Sequence, residues 1–286
     1  MRSNLAALGA VVLWGSLAAL GAALGNIPPL LLTGVGLLIG SLISLPLSGF
    51  KVARLKVGAV ALALGVMGLF GYHFALFAGL QNAPSVQANL VNYLWPLLIV
   101  VLAPLFLPGT RLTPLQVLAA VLGFIGAGLA ILSGSDLVSG FAIGYVYAFF
   151  AAVIWASYSL LSKRVKFETP AVGVFALVSG LLAIAGHIVF EPSVVIAFSD
   201  WLLLIVLGLG PLGASFYLWD YAIKRGDPQR IGLIAFLTPV ISTTLLLISS
   251  NTPLSPLLAI SAVIIFGAAF VGSRGDLKPK SNKTRV

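Results

Sequence analysis

The chain has no cysteine, and Asp and Glu together account for only seven of its 286 residues, beside two histidines. Without thiols, disulfides and thiolate metal sites are excluded. Isolated histidines and scattered carboxylates provide neither a metal cluster nor a nucleophile with a base. We therefore expect that the protein has no cofactor and is not an enzyme. A membrane-embedded enzyme or structural scaffold is disfavoured as an alternative. The G-x-x-x-x-G-K-[ST] phosphate loop is also missing, which leaves ATP-driven transport unsupported.

Apolar residues are abundant instead. They make up 60% of the chain, against 8% charged residues, and the mean hydropathy is +1.12. No soluble core needs that proportion, whereas a spanning helix needs about 20 mostly apolar residues. We predict an all-α polytopic membrane protein with ten transmembrane helices, at residues 5–25, 28–48, 57–80, 84–107, 114–133, 139–162, 170–190, 201–223, 228–249 and 253–272.

The excess of positive charge, +9 at neutral pH, lies in alternate connections between these helices and at both ends of the chain. The basic connections are 50–56, 108–113, 163–169 and 224–230, and the intervening connections contain no Lys or Arg. Such alternation is typical of the positive-inside rule. It predicts that both termini face the cytoplasm, and it disfavours nucleic-acid binding, which needs a continuous basic surface.

Three motifs recur in order in the second half of the chain, at offsets of 141, 143 and 142 residues. The pairs are Trp14-Gly15-Ser16 with Trp155-Ala156-Ser157, Tyr93-Leu94-Trp95-Pro96 with Phe236-Leu237-Thr238-Pro239, and Leu112-Thr113-Pro114-Leu115 with Leu254-Ser255-Pro256-Leu257. We therefore predict a duplication, with five helices in residues 1–137, five in 138–273, and a basic cytoplasmic tail at 274–286. An odd number of spans inverts the second copy, an arrangement typical of secondary transporters with a midplane substrate site.

Three tryptophans, Trp14, Trp95 and Trp155, are predicted near the middle of their spans. Tryptophan prefers the membrane interface, and a central indole N–H needs a partner or water. A wet cavity is one interpretation, and aromatic packing between helices is the other. The repeat favours the cavity for Trp14 and Trp155, because it gives them symmetric positions.

Other polar groups are predicted at similar depth. His73 follows Tyr72 in the third span, where a histidine is usually neutral and bonded, or faces water. In the fourth span Tyr93 and Pro96 share a helical face, and Asn92 lies beside it. Pro96 and its counterpart Pro239 are interpreted as kinks, hinges or parts of a cavity wall. Ser242 is one turn beyond Thr238, although back-bonding to the helix is a common alternative for such hydroxyls.

Charged groups are expected away from the centre. Asp220 is expected to form an i,i+4 ion pair with Lys224 at the cytoplasmic interface. Trp219 and Tyr221 are interpreted as interfacial belt residues, and His187 as structural. With no central carboxylate, the usual proton carrier of a coupled antiporter is missing.

The chain combines ten predicted spans in an inverted repeat with Trp-x-Ser in the first span of each half and a central proline in the fourth span of each half. In this combination it resembles the EamA-type exporters of the drug/metabolite transporter superfamily. Tyr72-His73 followed by Asn92-Tyr93-Leu94-Trp95-Pro96 is similar to the YddG-type aromatic amino acid exporters of bacterial inner membranes. The resemblance covers essentially the whole chain.

The resemblance implies a central cavity that accepts amino acids for export by alternating access, lined by Trp14, Tyr72, His73, Tyr93, Trp95, Pro96, Trp155 and Ser242. It implies no cofactor and no required oligomer, and a small-molecule substrate with the lipid bilayer as surroundings. Because aromatic walls attract cations, export of lipophilic cationic drugs is the alternative.

Overall fold

A computed structural model describes residues 1–132, 140–249 and 256–274, in which every regular element is helical. The helices are α1 (Arg2–Ala23), α2 (Pro29–Leu47), α3 (Ala59–Gln81), α4 (Ser85–Phe106), α5 (Pro114–Leu132), α6 (Ile143–Ser162), α7 (Thr169–Phe190), α8 (Asp200–Arg225), α9 (Pro228–Ala235), α10 (Leu237–Ser249) and α11 (Pro256–Arg274). A short 3-10 turn, Val52–Leu55, lies between α2 and α3.

Eight of the described helices, α1 to α8, are long and apolar enough to cross a membrane, and α11 contains a shorter apolar stretch at Pro256–Gly272. Their bounds lie close to the predicted runs, so the prediction of an all-helical, multi-pass membrane protein is confirmed at this level. The predicted connection at residues 134–138, most of the connection at 249–252 and the basic tail beyond residue 274 lie outside the described residues.

Two helical interruptions precede the central prolines. The first separates Ser85–Asn92 from Leu94–Phe106 within α4, and the second separates α9 from α10 at Phe236. Each proline lies in the first turn of the following helix, because it cannot donate to the carbonyl four residues earlier and that is where the helix ends. In α9 the Ala235 carbonyl instead accepts the Thr238 hydroxyl at 2.8 Å.

α3 and α8 each contain one π-helical turn, at Met67–Gly71 and Gly210–Ala214. Such a turn leaves backbone carbonyls without their usual i+4 donor, and it often marks a functional site. Side chains that follow the turns approach these carbonyls. His73 Nδ1 lies 2.7 Å from the Leu69 oxygen, and Ser215 Oγ donates to the Pro211 oxygen at 2.5 Å.

Close contacts through small residues hold the bundle together. α2 packs against α7, α3 against α6, α1 against α8, and α5 against α11. At the contact between α3 and α7, a side chain on Gly65 would collide with the ring of Phe175. Such residues let helices approach where lipid supplies no hydrophobic drive of its own.

Candidate functional site

A cavity of about 530 Å³ lies in the middle of the bundle. Seven of the eight residues that the sequence predicted for the site line it: Trp14, Tyr72, His73, Tyr93, Trp95, Trp155 and Ser242. Pro96 is buried but does not line it. Pro96 lies in the first turn of the second α4 segment, and its carbonyl is packed close to Gly232 of α9.

The three cavity tryptophans pack on each other. The ring centroids of Trp14 and Trp155 are 5.5 Å apart, and those of Trp14 and Trp95 are 6.1 Å apart, both pairs edge to face. Edge-to-face contact is a favoured aromatic geometry. The two interpretations drawn from the sequence therefore describe one arrangement: the rings pack together, and their exposed sides form a wall of the cavity.

Trp219 was wrongly interpreted as an interfacial belt residue. It is only 1% exposed, and its ring centroid lies 5.1 Å from that of Trp14 and 5.5 Å from that of Trp95. Its Nε1 donates to Ser159 Oγ at 3.0 Å. The error came from judging depth alone, since position along a helix does not reveal which way a side chain points.

Phe216 is a cavity residue that the sequence reasoning missed. It lies three positions before Trp219 on the same helical face, and its ring centroid is 5.7 Å from that of Trp155. An i,i+3 aromatic pair is a signal that could have drawn attention to this face of α8. Thr33 and Leu212 also line the cavity, and no local motif marks either of them.

The π turn in α3 orients His73. A carbonyl oxygen can only accept, so Nδ1 carries the hydrogen in this contact with Leu69, and a neutral ring then has Nε2 as an acceptor. Next to it, the Tyr72 hydroxyl accepts a hydrogen bond from Asn92 Nδ2 at 3.3 Å. The histidine is thus held in one orientation beside the aromatic wall.

Hydroxyl groups of α10 also line the cavity. Thr238, Ser242 and Thr243 all line it, and Thr243 Oγ1 donates to the Ala130 oxygen at 3.4 Å. Within the three described ranges, no Asp, Glu, Lys or Arg lines the cavity. The site therefore combines an aromatic wall with neutral hydrogen-bonding groups.

The expected ion pair is present, with Lys224 Nζ 3.0 Å from Asp220 Oδ1. The Asp220 side chain is only 1% exposed, so protein covers this carboxylate. Lys224 Nζ also lies 3.2 Å from the Phe167 ring centroid and donates to the Phe167 carbonyl. These contacts cover the pair, so it is part of the interior.

His187 has the structural role expected of it. Its Nδ1 is 3.0 Å from Glu191 Oε2, and the Glu191 carboxylate accepts from the backbone N–H groups of Leu30 and Leu31 at 2.8 and 3.2 Å. A carboxylate at this position satisfies free donors at the N-terminus of α2. The contact ties the end of α7 to the start of α2.

Lys163 joins α6 to the end of α8. Its Nζ donates to the Ile223 carbonyl at 3.1 Å and to the Gly226 carbonyl at 2.5 Å. Partial burial lowers the pKa of this ammonium group, while the carboxylate of Asp227 acts in the opposite direction. In the same region Arg54 and Glu168 form an exposed ion pair at 2.7 Å.

Comparison with known proteins identifies the family. The model of the EamA-like transporter family matches residues 1–132 and 142–274. The aromatic amino acid exporter YddG of Ancylobacter novellus is 40% identical over 283 residues, which cover 95% of this chain and 98% of that protein. The uncharacterized transporter YyaM of Bacillus subtilis is 28% identical over 82% of this chain and 79% of its own length.

A solved crystal structure has the same fold. It superposes with a TM-score of 0.88 at 38% sequence identity, and the match covers 98% of both chains. The resemblance drawn from the paired motifs is therefore confirmed over almost the entire chain. The chain belongs to the EamA-like transporter family, and it is a multi-pass membrane transporter.

Proposed function

We propose that this transporter exports amino acids, aromatic and other neutral ones, by alternating access. The observation that carries the proposal is the neutral central cavity of about 530 Å³ with its wall of Trp14, Trp95 and Trp155. Its volume lies in the range of typical small-molecule sites. The relative in Ancylobacter novellus, which is named an aromatic amino acid exporter, supports the same substrate class.

The chemistry of the wall suits a zwitterion with an apolar side chain. An aromatic or aliphatic side chain can pack against the indole rings, where buried apolar area contributes about 25 cal/mol per Å². His73 Nε2 and the amide oxygens of Asn89 and Asn92 can accept from an ammonium group, and the Tyr72 and Tyr93 hydroxyls can donate to a carboxylate. A zwitterion carries no net charge, which agrees with the neutral lining.

We infer ten spans, with the interrupted pair α9–α10 as the ninth and α11 as the tenth, in two inverted five-helix repeats at residues 1–137 and 138–273. Equivalent features support the repeat: the two π turns begin 143 residues apart, at Met67 and Gly210, and the helical interruptions at Tyr93 and Phe236 are also 143 apart. The match of the family model to two segments agrees with this division.

We infer a bacterial inner-membrane location with both termini in the cytoplasm, because basic residues occupy alternate connections. The basic residues Lys163 and Lys224 then lie at the cytoplasmic end, beyond the tryptophan cluster formed by Trp14, Trp95 and Trp155. The cavity residues on the other side of that cluster, among them Gly21, Leu80 and Ser85, lie toward the outside. The structure would therefore correspond to an outward-facing state, and no oligomer is needed to complete the site.

The experiment is uptake of labelled phenylalanine, methionine and threonine into liposomes that contain the purified protein. We expect saturable flux that excess unlabelled phenylalanine inhibits. Protein-free liposomes and protein with Trp155→Ala serve as controls. If none of the three amino acids shows saturable flux, the proposed function is wrong.

Export of lipophilic cations is the second candidate, favoured by the indole faces in the cavity, which attract cations. Competition with a quaternary ammonium compound separates the two. A site for amino acids retains phenylalanine flux in the presence of the cation. A cation site transports the labelled cation, and phenylalanine does not inhibit that transport.

A further inference from the structure

Two polar links join α6 to the C-terminal part of α8, on the side of the tryptophan cluster away from the cavity. The first is the hydrogen bond from Trp219 to Ser159, and the second runs from Lys163 to the Ile223 carbonyl, with Gly226 as a further acceptor. The second link lies four residues beyond the first in both parts of the chain, at Lys163 after Ser159 and at Ile223 after Trp219. The spacing places the two links on one face of each helix, one turn apart.

The cavity ends at this seam between α6 and α8. Trp155 is the only residue of α6 that lines the cavity in the described part of the chain, and Phe216 is the last such residue on α8. One turn further, Ser159 is 0% exposed and Trp219 is 1% exposed. A molecule that leaves the cavity in this direction must separate α6 from α8 and displace the Trp219 ring.

We propose that the seam between α6 and α8 is the cytoplasmic gate, in which Trp219 blocks the path while Ser159 and Lys163 are positioning residues that hold it closed. The inference rests on the proposed function, since transport and the cytoplasmic orientation are part of that proposal. It adds residues that lie outside the cavity lining and that take no part in binding.

The inverted repeat identifies the corresponding residues at the opposite end. At the offset of the Trp-x-Ser motifs, Ser159 corresponds to Ala18; at the offset of the π turns, Trp219 corresponds to Leu76. Both Ala18 and Leu76 line the open cavity, whereas their counterparts Ser159 and Trp219 are hydrogen-bonded to each other and buried. When the cytoplasmic gate opens, the symmetry of such repeats requires Ala18 and Leu76 to approach.

The two gates differ in chemistry. The cytoplasmic seam contains three hydrogen bonds between α6 with the residue that follows it and α8 with the residue that follows it, one of them from an indole and two from an ammonium group. Ala18 and Leu76 have no side-chain hydrogen-bonding atoms with which to replace them. Loss of the cytoplasmic hydrogen bonds therefore shifts the equilibrium of the transporter toward closure at Ala18 and Leu76.

A single cysteine at Ser162 reports opening of the gate, since this serine is 2% exposed, adjoins Lys163, and belongs to a chain that otherwise has no cysteine. In inside-out vesicles a membrane-impermeant maleimide reaches the protein only from the cytoplasmic face. The rate at which it labels this cysteine is the quantity to be measured. We expect Lys163→Met to raise the rate about tenfold, which corresponds to the loss of a charge-assisted hydrogen bond. Lys166→Met, an exposed basic position three residues away, is the matched control.

The second arm measures the opposite end. With cysteines at Ala18 and Leu76, a short bifunctional thiol reagent should cross-link the helices with a higher yield in the Lys163→Met background than beside Lys166→Met. Ser159→Ala, which removes only the acceptor of the Trp219 N–H, should change both readouts in the same direction. This variant also covers the case in which Lys163→Met does not fold.

Equal labelling and cross-linking in Lys163→Met, Ser159→Ala and the control would overturn the gate. Labelling of the Ser162 cysteine only from the outside, in right-side-out vesicles, would overturn its cytoplasmic assignment. Phenylalanine flux in the unsubstituted protein is measured separately. Saturable flux without any change in labelling contradicts the gate alone, whereas changed labelling without flux contradicts only the proposed substrate.

Discussion

Trp14 and Trp155 are 141 residues apart in the chain, yet their ring centroids lie 5.5 Å apart with an interplanar angle of 79°. Each follows the same local pattern, Trp-x-Ser, in the first span of its half. Ser16 donates to the Leu13 carbonyl at the turn that divides α1, whereas α6 continues without a break. The paired indoles therefore meet on one wall of the cavity although the helices that hold them differ in shape.

Truncation of this wall tests its role in binding. We expect Trp14→Ala and Trp155→Ala each to reduce phenylalanine flux about tenfold or more, because an aromatic side chain that packs on the substrate contributes roughly 1.5–3 kcal/mol. Trp201→Ala is the control, since Trp201 is 41% exposed and does not line the cavity. Unchanged flux in both cavity variants, with normal membrane insertion, would show that the indoles serve only in packing.

His73 provides a test of the acceptor at the cavity wall. We expect His73→Leu to reduce flux of phenylalanine about tenfold, since it removes the Nε2 acceptor and leaves the Leu69 carbonyl without a partner. His73→Gln, which can donate and accept, should recover part of that loss. Liposome flux at several substrate concentrations separates the effect on KM from that on the maximal rate. Equal flux in the Leu and Gln variants would contradict a role in hydrogen bonding.

The buried pair of Asp220 and Lys224 predicts a strong effect on stability. Lys224→Met leaves an uncompensated carboxylate in the interior, and we expect a loss of about 3–5 kcal/mol in the free energy of unfolding. Asp220→Asn combined with Lys224→Met should recover much of it, because neither charge remains. Thermal unfolding in detergent measures both. A double variant no more stable than Lys224→Met would contradict this account.

Close packing at Gly65 gives a prediction for α3 and α7. Gly65→Ala places a methyl group against the Phe175 ring, and we expect a loss of about 1–3 kcal/mol from overpacking. Gly267→Ala is the matched helical control, because apart from the backbone of its own helix no atom lies within 4 Å of the added carbon. There the better helix propensity of alanine should leave stability unchanged or slightly raised. Similar melting temperatures for the two variants would show that α3 and α7 can separate easily.

Sequence alone predicted the eight described spans of this protein, α1 to α8, and seven of the residues that line its cavity. Spans can be located from hydropathy because the thickness of the bilayer imposes a length on any apolar helix. The central prolines Pro96 and Pro239 were interpreted as kinks, hinges or parts of a cavity wall, since proline cannot donate to the preceding turn whatever surrounds it, and the structure has helical interruptions just before them, at Tyr93 and Phe236. The location of a span and the effect of a proline both depend on residues that are close together in the sequence.

Tertiary structure decided which way each helix faces. Trp219 lies in the C-terminal part of α8, Ser215–Arg225, where the buried residues Phe216, Trp219 and Ile223 share a face, but only packing shows that this face meets the other tryptophans. The same holds for the burial of Asp220, whose partner Lys224 packs over the ring of Phe167 in the connection that follows α6. Rotation about a helix axis is fixed by packing against other helices, and that information is absent from hydropathy along the chain.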